Sequence, residues 1–434
     1  MDIGSLTSTQ LAYGAAAVGA TSCTAYLLYK GVRSCLRSDA QRLREDELCL
    51  QDGAIFLNHG SFGTVPRSIV AMQQELRKEM EQHPDRWFRR LARQYFSENS
   101  AAAAELIKAP TDCVAIVDNA TTGINAVLNS IPLSGDDEVM TTDWTYQPVK
   151  NTVDCVCERR GIKPFCMCLD FPVVSEDALV KQFKEGLAEH PNVRVCILDH
   201  ITSPSAVLMP IKRLSAICHS RNVRVLVDGA HSPGQIDLNM SDLPHVDYYT
   251  GNLHKWCFAP RGCALLYAKR ELKEEILPAV ISWWWRKPFV ERFNFLATRD
   301  QTQLFSVREA LSFIQNKLGG QQAMVKHNSE LASSAADMLA RVWSTERLPI
   351  PHHLEAPNMK LIRLPLEGLI ESAEDLMMEI YDRFNIMVCT FGIKGVPYCR
   401  ISANVYNEFW EYERLGEAVL QLRTEKMCQM NAEK

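Results

Sequence analysis

From Val114 onward the sequence alternates short apolar segments with longer helical patterns, and this alternation restricts the fold more than any other feature. A short run of aliphatic residues, buried on both faces, is typical of a parallel strand, and the helix between two such strands covers the sheet. We therefore predict an α/β fold with a mostly parallel sheet covered by helices. The strands are predicted at Val114–Val117, Glu138–Thr141, Val193–Leu198, Val223–Val227 and Cys263–Tyr267, and the helices at Thr122–Ser130, Gln147–Arg159, Ser175–Glu189 and Lys212–Arg221.

The pattern changes after Arg299, which indicates a second, smaller domain of the α+β class. Its predicted elements are Gln303–Leu318, Gln322–Thr345, Met359–Leu364, Ser372–Arg383, Ile386–Val388, Cys399–Ser402 and Asn407–Met427. A chain of 434 residues is too long for one small core, which agrees with this division. We predict an N-terminal segment at 1–37, a large domain at 38–300 that includes an N-terminal arm, and a small domain at 301–434.

Composition excludes some classes of function. The net charge of −5 provides no basic surface for nucleic acid. The 15 cysteines are scattered through apolar segments and do not form the framework of a small secreted domain, so we expect reduced thiols. Cys155-x-Cys157 and Cys166-x-Cys168 have the wrong spacing for a zinc ribbon, and no metal site is predicted.

The N-terminus carries an uncharged stretch, Leu11–Tyr29, of about 19 residues, which is close to the length of a helix that spans a bilayer. Lys30, Arg33 and Arg37 follow it, and by the positive-inside rule they stay in the cytosol. Asp2 stands where a secretory signal would have a basic residue. We expect a membrane anchor with a cytosolic catalytic domain. The alternative is an unanchored N-terminal extension on a cytoplasmic protein.

Asp228 and Lys255 indicate the class of chemistry. Asp228 closes the run Val223–Val227, so its carboxylate is expected at the carboxyl end of a buried strand. The segment from Tyr248 then leads Lys255 to the same crevice. An amine that forms an imine and a carboxylate that keeps a pyridine nitrogen protonated are the two groups that pyridoxal 5′-phosphate (PLP) requires. The pair therefore predicts a PLP-dependent enzyme.

Two further segments complete the predicted cofactor site. The turn Asn119–Gly123 opens a helix, where backbone N–H groups, the helix dipole and the hydroxyls of Thr121 and Thr122 can bind phosphate. An ordinary helix N-cap gives the same pattern. Either Tyr146 or Trp144, in the loop after a strand, can cover the face of a bound ring.

Arg400 is the candidate for binding a substrate carboxylate, since its strand-like context would hold a guanidinium fork rigidly. An isolated arginine is also compatible with a surface ion pair. The run Trp283–Trp285, after Ser282, is predicted to form an apolar wall or a contact between subunits.

The chain resembles the class V aminotransferase-fold proteins, in particular the branch of isopenicillin N epimerase-like proteins and L-cysteine desulfhydrases. The resemblance covers about residues 50–425 and rests on the order and spacing of several motifs. These motifs are Leu57-Asn58-His59-Gly60-Ser61-Phe62-Gly63, Asn119-Ala120-Thr121-Thr122, Asp199-His200-Ile201-Thr202-Ser203-Pro204, Asp228-Gly229-Ala230-His231, Thr250-Gly251-Asn252-Leu253-His254-Lys255-Trp256, Thr298-Arg299-Asp300 and Arg400-Ile401-Ser402-Ala403.

The resemblance implies PLP fold type I and a homodimer with active sites at the subunit interface. It implies that Lys255 attaches PLP, that Asp228 pairs with the ring nitrogen, and that His231 lies near the phenolic oxygen of the ring. Thr121, Thr122 and Asn252 would bind phosphate, with Thr298 reaching in from the partner subunit. Tyr146, Ser203 and His254 are also expected to contact the cofactor. Arg400 would hold the substrate carboxylate, and His59 is the next candidate for that role.

The sequence departs from the family pattern at several positions. Ala297 replaces the glycine that often precedes the Thr-Arg-Asp motif, which can weaken the phosphate contact. Trp283 replaces a histidine that often follows the serine at position 282, which alters the substrate pocket. Cys389 has no convincing match to the persulfide cysteine of related desulfurases, and we do not assign it that role.

The favoured reaction is carbon–sulfur lysis of cysteine or a cysteine S-conjugate, which gives a keto acid, ammonia and sulfide or a thiol. An amino-acid or peptide epimerase and an aminotransferase are the enzymatic alternatives, because they share the first steps with the lyase. A membrane-anchored interaction protein on a retained fold is the non-enzymatic alternative. The presence of Lys255, Asp228 and His231 together argues against it.

Overall fold

A computed structural model describes residues 38–432 of the chain. Its strands, in chain order, are β1 Ile55–Phe56, β2 Val114–Val117, β3 Glu138–Thr142, β4 Lys163–Met167, β5 Val193–Asp199, β6 Arg224–Asp228, β7 Tyr248–Asn252, β8 Ala264–Ala268, β9 Met359–Arg363, β10 Ile386–Met387, β11 Cys389–Ile393 and β12 Val396–Ser402.

The α-helices of the same residues are α1 Asp39–Arg42, α2 His59–Phe62, α3 Arg67–Gln82, α4 Pro84–Arg86, α5 Ala92–Leu106, α6 Ala120–Ser130, α7 Gln147–Arg160, α8 Glu176–Glu189, α9 Ile211–His219, α10 Leu253–Trp256, α11 Phe289–Asn294, α12 Val307–Lys317, α13 Gln321–Trp343, α14 Ala373–Phe384 and α15 Phe409–Ala432. Short π-helical and 3₁₀ segments lie between them, at Leu43–Glu47, Trp87–Leu91, Thr111–Cys113, Met240–Asp242, Lys273–Glu275, Leu304–Ser306 and His352–Leu354.

A seven-stranded sheet in the order β2-β8-β7-β6-β5-β3-β4 forms the centre of the fold. The strands from β3 to β7 pair in parallel, as the sequence predicts, and their carboxyl ends meet at one edge. β8 is antiparallel to β2 and to β7. Two parallel strands need a long crossover connection between them. The segment that joins β7 to β8 is short, so β8 returns antiparallel to β7.

In the seven-stranded sheet, the predicted strand positions agree with the structure to within one or two residues, with two omissions. β4 was not predicted because it is an edge strand whose side chains are mostly exposed, and it lacks a continuous apolar run. β7 was interpreted only as the segment that leads to the lysine. It is nevertheless fully buried and supplies the central part of the sheet. In the small antiparallel sheet, β11 was not predicted and β12 begins at Val396, ahead of the predicted start at Cys399.

A second hydrophobic cluster surrounds the antiparallel sheet β11-β12-β9. Helices α14 and α15 and most of α13 pack around it. The short strand β1 pairs with β10, which brings Ile55 and Leu57 into this cluster from the other end of the chain. Conversely, α12 packs on the large core. The packing therefore does not follow the predicted boundary between residues 300 and 301.

No helix within residues 38–432 is both long and apolar enough to cross a membrane. The predicted anchor, Leu11–Tyr29, lies outside the described residues.

Candidate active site

The carboxyl ends of β5, β6 and β7 and the start of α6 surround a cleft of about 170 Å³. This is the edge at which ligands bind in open α/β sheets, since the strand ends and helix N-termini leave polar backbone groups there. Most of the residues that the sequence predicts for the cofactor line this cleft, namely Thr121, Tyr146, Ser203, Asp228, His231, Asn252, His254 and Lys255.

Lys255 lies in the one-turn helix α10, directly after β7, and is buried. Burial, and to a smaller extent the charge of Arg400, lower the pKa of its amine to about 7, while the charge of Asp228 opposes the shift. Its Nζ lies 3.0 Å from Nε2 of His231. Burial also keeps the pKa of His231 well below its usual value, so the imidazole is neutral and can accept a hydrogen bond from the amine. A substantial fraction of Lys255 is thus available as an uncharged nucleophile near neutral pH.

Asp228 ends β6 and is buried beside the lysine. Burial raises the pKa of its carboxyl, while the N–H of Ala230, which donates to Oδ1 at 2.9 Å, and the charge of Lys255 oppose the rise. A buried carboxylate is stable only when cations or donors face it. Asp228 is therefore suited to bind a protonated ring nitrogen.

The predicted phosphate cup is formed in part. Asn119 caps α6, since its Oδ1 accepts the backbone N–H of Thr122 at 2.8 Å and the hydroxyl of Thr122 at 3.1 Å. Asn252 Oδ1 accepts the N–H of Ala120 at 2.9 Å, which ties the end of β7 to the same helix turn. Thr121 lines the cleft, whereas the hydroxyl of Thr122 is occupied by the cap. The helix N-terminus and Thr121 are therefore the best-placed anion ligands of this turn.

Of the two aromatic candidates, Tyr146 is the one at the cleft. It precedes α7 and lines the cavity with 42% of its surface exposed. Trp144 is buried in the main hydrophobic core, so it serves packing and does not reach a ligand.

Arg400 projects from β12 of the small antiparallel sheet and is buried against the mouth of the cleft. Its Nη2 donates to Ser61 Oγ at 3.0 Å and to Asn58 Oδ1 at 3.3 Å, and its Nη1 donates to the carbonyl of Ser203. Ser61 and Ser203 themselves line the cleft. The guanidinium is therefore held rigidly beside the cavity, which excludes the alternative of a surface ion pair.

The structure does not place His59 at the substrate, contrary to the prediction from the sequence. His59 is fully buried behind the lysine helix, and both ring nitrogens are engaged. Nε2 lies 2.7 Å from the carbonyl of Lys255, which can only accept, so Nε2 carries the proton and Nδ1 accepts from the hydroxyl of Tyr406 at 2.8 Å. His59 supports the backbone of Lys255 and has no free group for a carboxylate.

Thr298 and Trp283 lie outside the cleft of this chain. Thr298 is exposed in the loop after α11. The neighbouring Arg299 anchors this loop through a 2.7 Å ion pair with Asp118, the residue before the cap residue of α6. Trp283 is 81% exposed. A contact of Thr298 with the partner's phosphate stays a prediction.

Two features of the site were not predicted. Asn58 and Ser61 orient Arg400, although they lie more than 300 residues away in sequence. Asp199 lines the cleft beside Asp228. The sequence did contain a signal for Asp199, since it closes a buried strand as Asp228 does.

The side chains around the cleft fit PLP. Arg400 Nε, His231 Nδ1 and Asp199 Oδ2 are buried and have no hydrogen-bond partner among residues 38–432. Orphaned polar atoms are rare in protein interiors and indicate a missing polar ligand. A carboxylate, a nucleophilic amine and a helix N-terminus match the ring nitrogen, the aldehyde and the phosphate of PLP.

Comparison with known proteins agrees with this site. The model of the family "Aminotransferase class-V" matches residues 56–415. An L-cysteine desulfhydrase of Arabidopsis thaliana is 31% identical over 87% of the chain and 90% of its own length. An isopenicillin N epimerase of Streptomyces clavuligerus is 27% identical over 86% of the chain and 96% of its own length. The solved structure of the cystine C–S lyase C-DES with cysteine persulfide superposes with a TM-score of 0.72, covering 85% of this chain and 97% of the other at 22% identity.

Proposed function

Since the chain belongs to the class V aminotransferase family and is a PLP-dependent enzyme of fold type I, we propose that it is a carbon–sulfur lyase acting on cysteine or a cysteine S-conjugate. The observation that carries the proposal is the likeness to L-cysteine desulfhydrases over nearly the whole chain, at 31% identity to the Arabidopsis thaliana protein. The position of Arg400 supports an amino-acid substrate, because its buried guanidinium lies beside the cleft with Nε unpartnered among the described residues, and a guanidinium binds an α-carboxylate well.

The residues of the cleft can be given roles in this reaction. When bound, PLP supplies an electron sink for the negative charge that develops at the α-carbon. Lys255 Nζ takes the α-proton, with His231 holding the amine by the 3.0 Å contact. Asp228 supplies the fixed negative charge at the strand end, and Arg400 orients the carboxylate. The Cβ–S bond then breaks with its electron pair on sulfur.

For cysteine the net reaction consumes one water and gives pyruvate, ammonia and hydrogen sulfide. The test is to incubate the purified chain with L-cysteine and PLP and to follow sulfide and pyruvate together. We expect equal amounts of the two products and none from Lys255→Ala. A PLP-loaded protein that releases neither product from cysteine or from cysteine S-conjugates would overturn the lyase proposal.

An epimerase is the second candidate, because an isopenicillin N epimerase is 27% identical over 86% of the chain. Both reactions begin with removal of the α-proton, and the epimerase returns the proton to the opposite face. Chiral chromatography of the recovered amino acid distinguishes them. A lyase leaves the remaining substrate in the L form, whereas an epimerase converts part of it to the D form without releasing sulfide.

We further propose that the enzyme is a homodimer. The support is an exposed apolar segment formed by Val280, Ile281 and Trp283, which are 53%, 56% and 81% exposed. Contiguous exposed apolar residues of this size are typical of an interface with another protein. A second copy of the chain is the expected partner, as the family resemblance implies.

We also propose that Leu11–Tyr29 anchors the enzyme to a membrane with the catalytic part in the cytosol. The support is the uncharged stretch and the basic residues that follow it. Carbonate extraction of cell membranes tests this proposal. The full chain should stay in the pellet, while a chain that begins at Ser38 should be released and active. Release of the full chain by carbonate would favour the cytoplasmic alternative.

A further inference from the structure

Two carboxyl groups lie side by side at the floor of the cleft. Asp199 ends β5 and Asp228 ends β6, and the two residues are direct partners in the parallel register of these strands. Both are buried, and both line the cleft. The mechanism above uses Asp228 and gives Asp199 no role. Asp199 Oδ2 is nevertheless one of the buried polar atoms that have no partner in the described chain.

The two carboxyls have different surroundings. Burial raises the pKa of Asp199 to about 8, the neighbouring Asp228 contributes to the rise, and hydrogen bonds from the Thr145 side chain and the Tyr146 backbone oppose it. Asp228 has the charge of Lys255 to stabilise its ionised form. Two buried carboxyls on adjacent strand ends do not both ionise readily, so the proton resides on the one without a cation, Asp199. The other titratable or charged groups around the cleft are Tyr146, His231, His254, Lys255 and Arg400.

We propose that Asp199 is a positioning residue that remains protonated beside Asp228, so that the carboxyl pair carries a single negative charge for the cofactor. A doubly charged pair would repel the phosphate of PLP and would compete for the proton that the ring nitrogen needs. The protonated form also leaves an O–H donor at the cleft. This inference rests on the PLP dependence of the proposed function and adds a residue to it.

The same side chain is connected to the loop that carries Tyr146. The Thr145 side chain and the Tyr146 backbone lower the pKa of Asp199 by hydrogen bonding, and Tyr146 lines the same cleft as Asp199. Thr145 is in turn bound to the end of β3, where its Oγ1 accepts the N–H of Thr142 at 3.2 Å. Asp199→Asn keeps the shape of the side chain and an oxygen acceptor for the loop, and it removes only the titratable proton. Asp199→Ala removes both the acceptor and the titratable proton.

The test measures PLP affinity as a function of pH in a Lys255→Arg chain, which removes the titration of the amine and keeps a cation beside Asp228. Binding is followed by tryptophan fluorescence between pH 7 and pH 9.5. If Asp199 must be protonated for tight binding, affinity falls about tenfold between pH 7 and pH 9, as expected for a group with a pKa of about 8. Asp199→Asn in the same background should bind PLP as tightly at pH 7 and lack this fall.

Asp247→Asn is the matched control. Asp247 is also a carboxyl whose pKa is raised by burial, but it precedes β7 at the opposite edge of the sheet, where its Oδ2 accepts the N–H of Val225 at 2.8 Å. This control should retain the tenfold fall. A fall of equal size in Asp199→Asn would overturn the proposal, and so would loss of PLP binding by that variant at pH 7.

A second measurement does not depend on PLP. The pKa of Asp199 is higher in the folded chain than the usual 3.8, so the folded state loses stability as the pH rises from about 4 to about 8. Asp199→Asn should therefore lose less of its Tm over this range than the Lys255→Arg parent, and an identical loss would contradict the assignment of the proton. Neither PLP affinity nor Tm depends on turnover. A chain that binds PLP but releases no sulfide would therefore overturn only the lyase proposal and would leave the inference about Asp199 standing.

Discussion

At the scale of single residues, the low pKa of Lys255 leads to a prediction about cofactor attachment. The amine must be uncharged to react, and its pKa of about 7 makes the uncharged fraction grow between pH 6 and pH 8. Apoprotein mixed with PLP should turn yellow at a rate that rises through this range and then levels off. Lys255→Arg should remain colourless at every pH. An unchanged visible spectrum in Lys255→Arg would show that another residue attaches the cofactor.

A second residue-scale prediction concerns Asp228. Its fixed charge should stabilise the transition state of proton removal, so Asp228→Asn should keep the cofactor and lose at least about 100-fold in kcat, or about 2.7 kcal/mol of barrier. Stopped-flow measurement of single turnovers checks this loss. Asp247→Asn, which alters a carboxyl away from the cleft, should retain normal turnover.

A third residue-scale prediction concerns Arg400 and the class of substrate. Arg400→Lys cannot reproduce the guanidinium fork, so kcat/KM for amino acids should fall by about 2–4 kcal/mol while PLP stays bound. Amines without a carboxylate should be poor substrates for both enzymes. Arg363→Lys, on the neighbouring strand β9 at the protein surface, is the control and should be close to normal. Equal kcat/KM for L-cysteine in the parent and Arg400→Lys would place the carboxylate elsewhere.

At the scale of elements, the loop after α2 must pass very close to the lysine helix. Gly63 has φ of 65°, and a Cβ there would lie 2.0 Å from the carbonyl oxygen of His254. Gly63→Ala therefore adds a backbone clash to the strain of a positive φ. It should lower the unfolding free energy by at least about 1–3 kcal/mol, and it should also lower the PLP occupancy of the purified protein.

Gly53→Ala is the control, because it has the strain of a positive φ without the clash. Gly53 also has a positive φ, of 71°, but a Cβ there would have no neighbour within 4 Å. Urea unfolding should show a loss of about 1 kcal/mol for Gly53→Ala with normal PLP content. If the two variants lose the same stability and both bind PLP, the close approach of the loop to α10 has no consequence for the site.

At the scale of the whole molecule, the exposed apolar segment around Trp283 should determine the oligomeric state. Sedimentation should give twice the 49.1 kDa of one chain, and Trp283→Asp should shift the equilibrium toward the monomer because a charge is costly in an apolar interface. Trp410→Asp is the control, since Trp410 is 45% exposed on α15. A parent that sediments as a monomer would remove the dimer proposal.

The sequence by itself determined the order of the elements and the chemistry at the strand ends. Buried strands show as aliphatic runs, and the residue that closes such a run lies at the ligand edge of the sheet, so Asp228 and Lys255 could be found locally. The parallel part of the sheet followed from these patterns, whereas PLP fold type I and the family were implied by the resemblance of the longer motifs. Thr121 and the cap at Asn119 also follow from local helix chemistry.

Only the tertiary structure decided which side chains share the cleft. Asn58 contacts Arg400 across 342 residues of sequence, and β1 pairs with β10 near the other end of the chain in a separate two-stranded sheet. The burial of Trp144, the position of His59 behind Lys255 and the pairing of Asp199 with Asp228 depend on how distant strands and helices pack. A local pattern shows that a side chain is polar or apolar, but its partners and its protonation are set by neighbours that are distant in sequence.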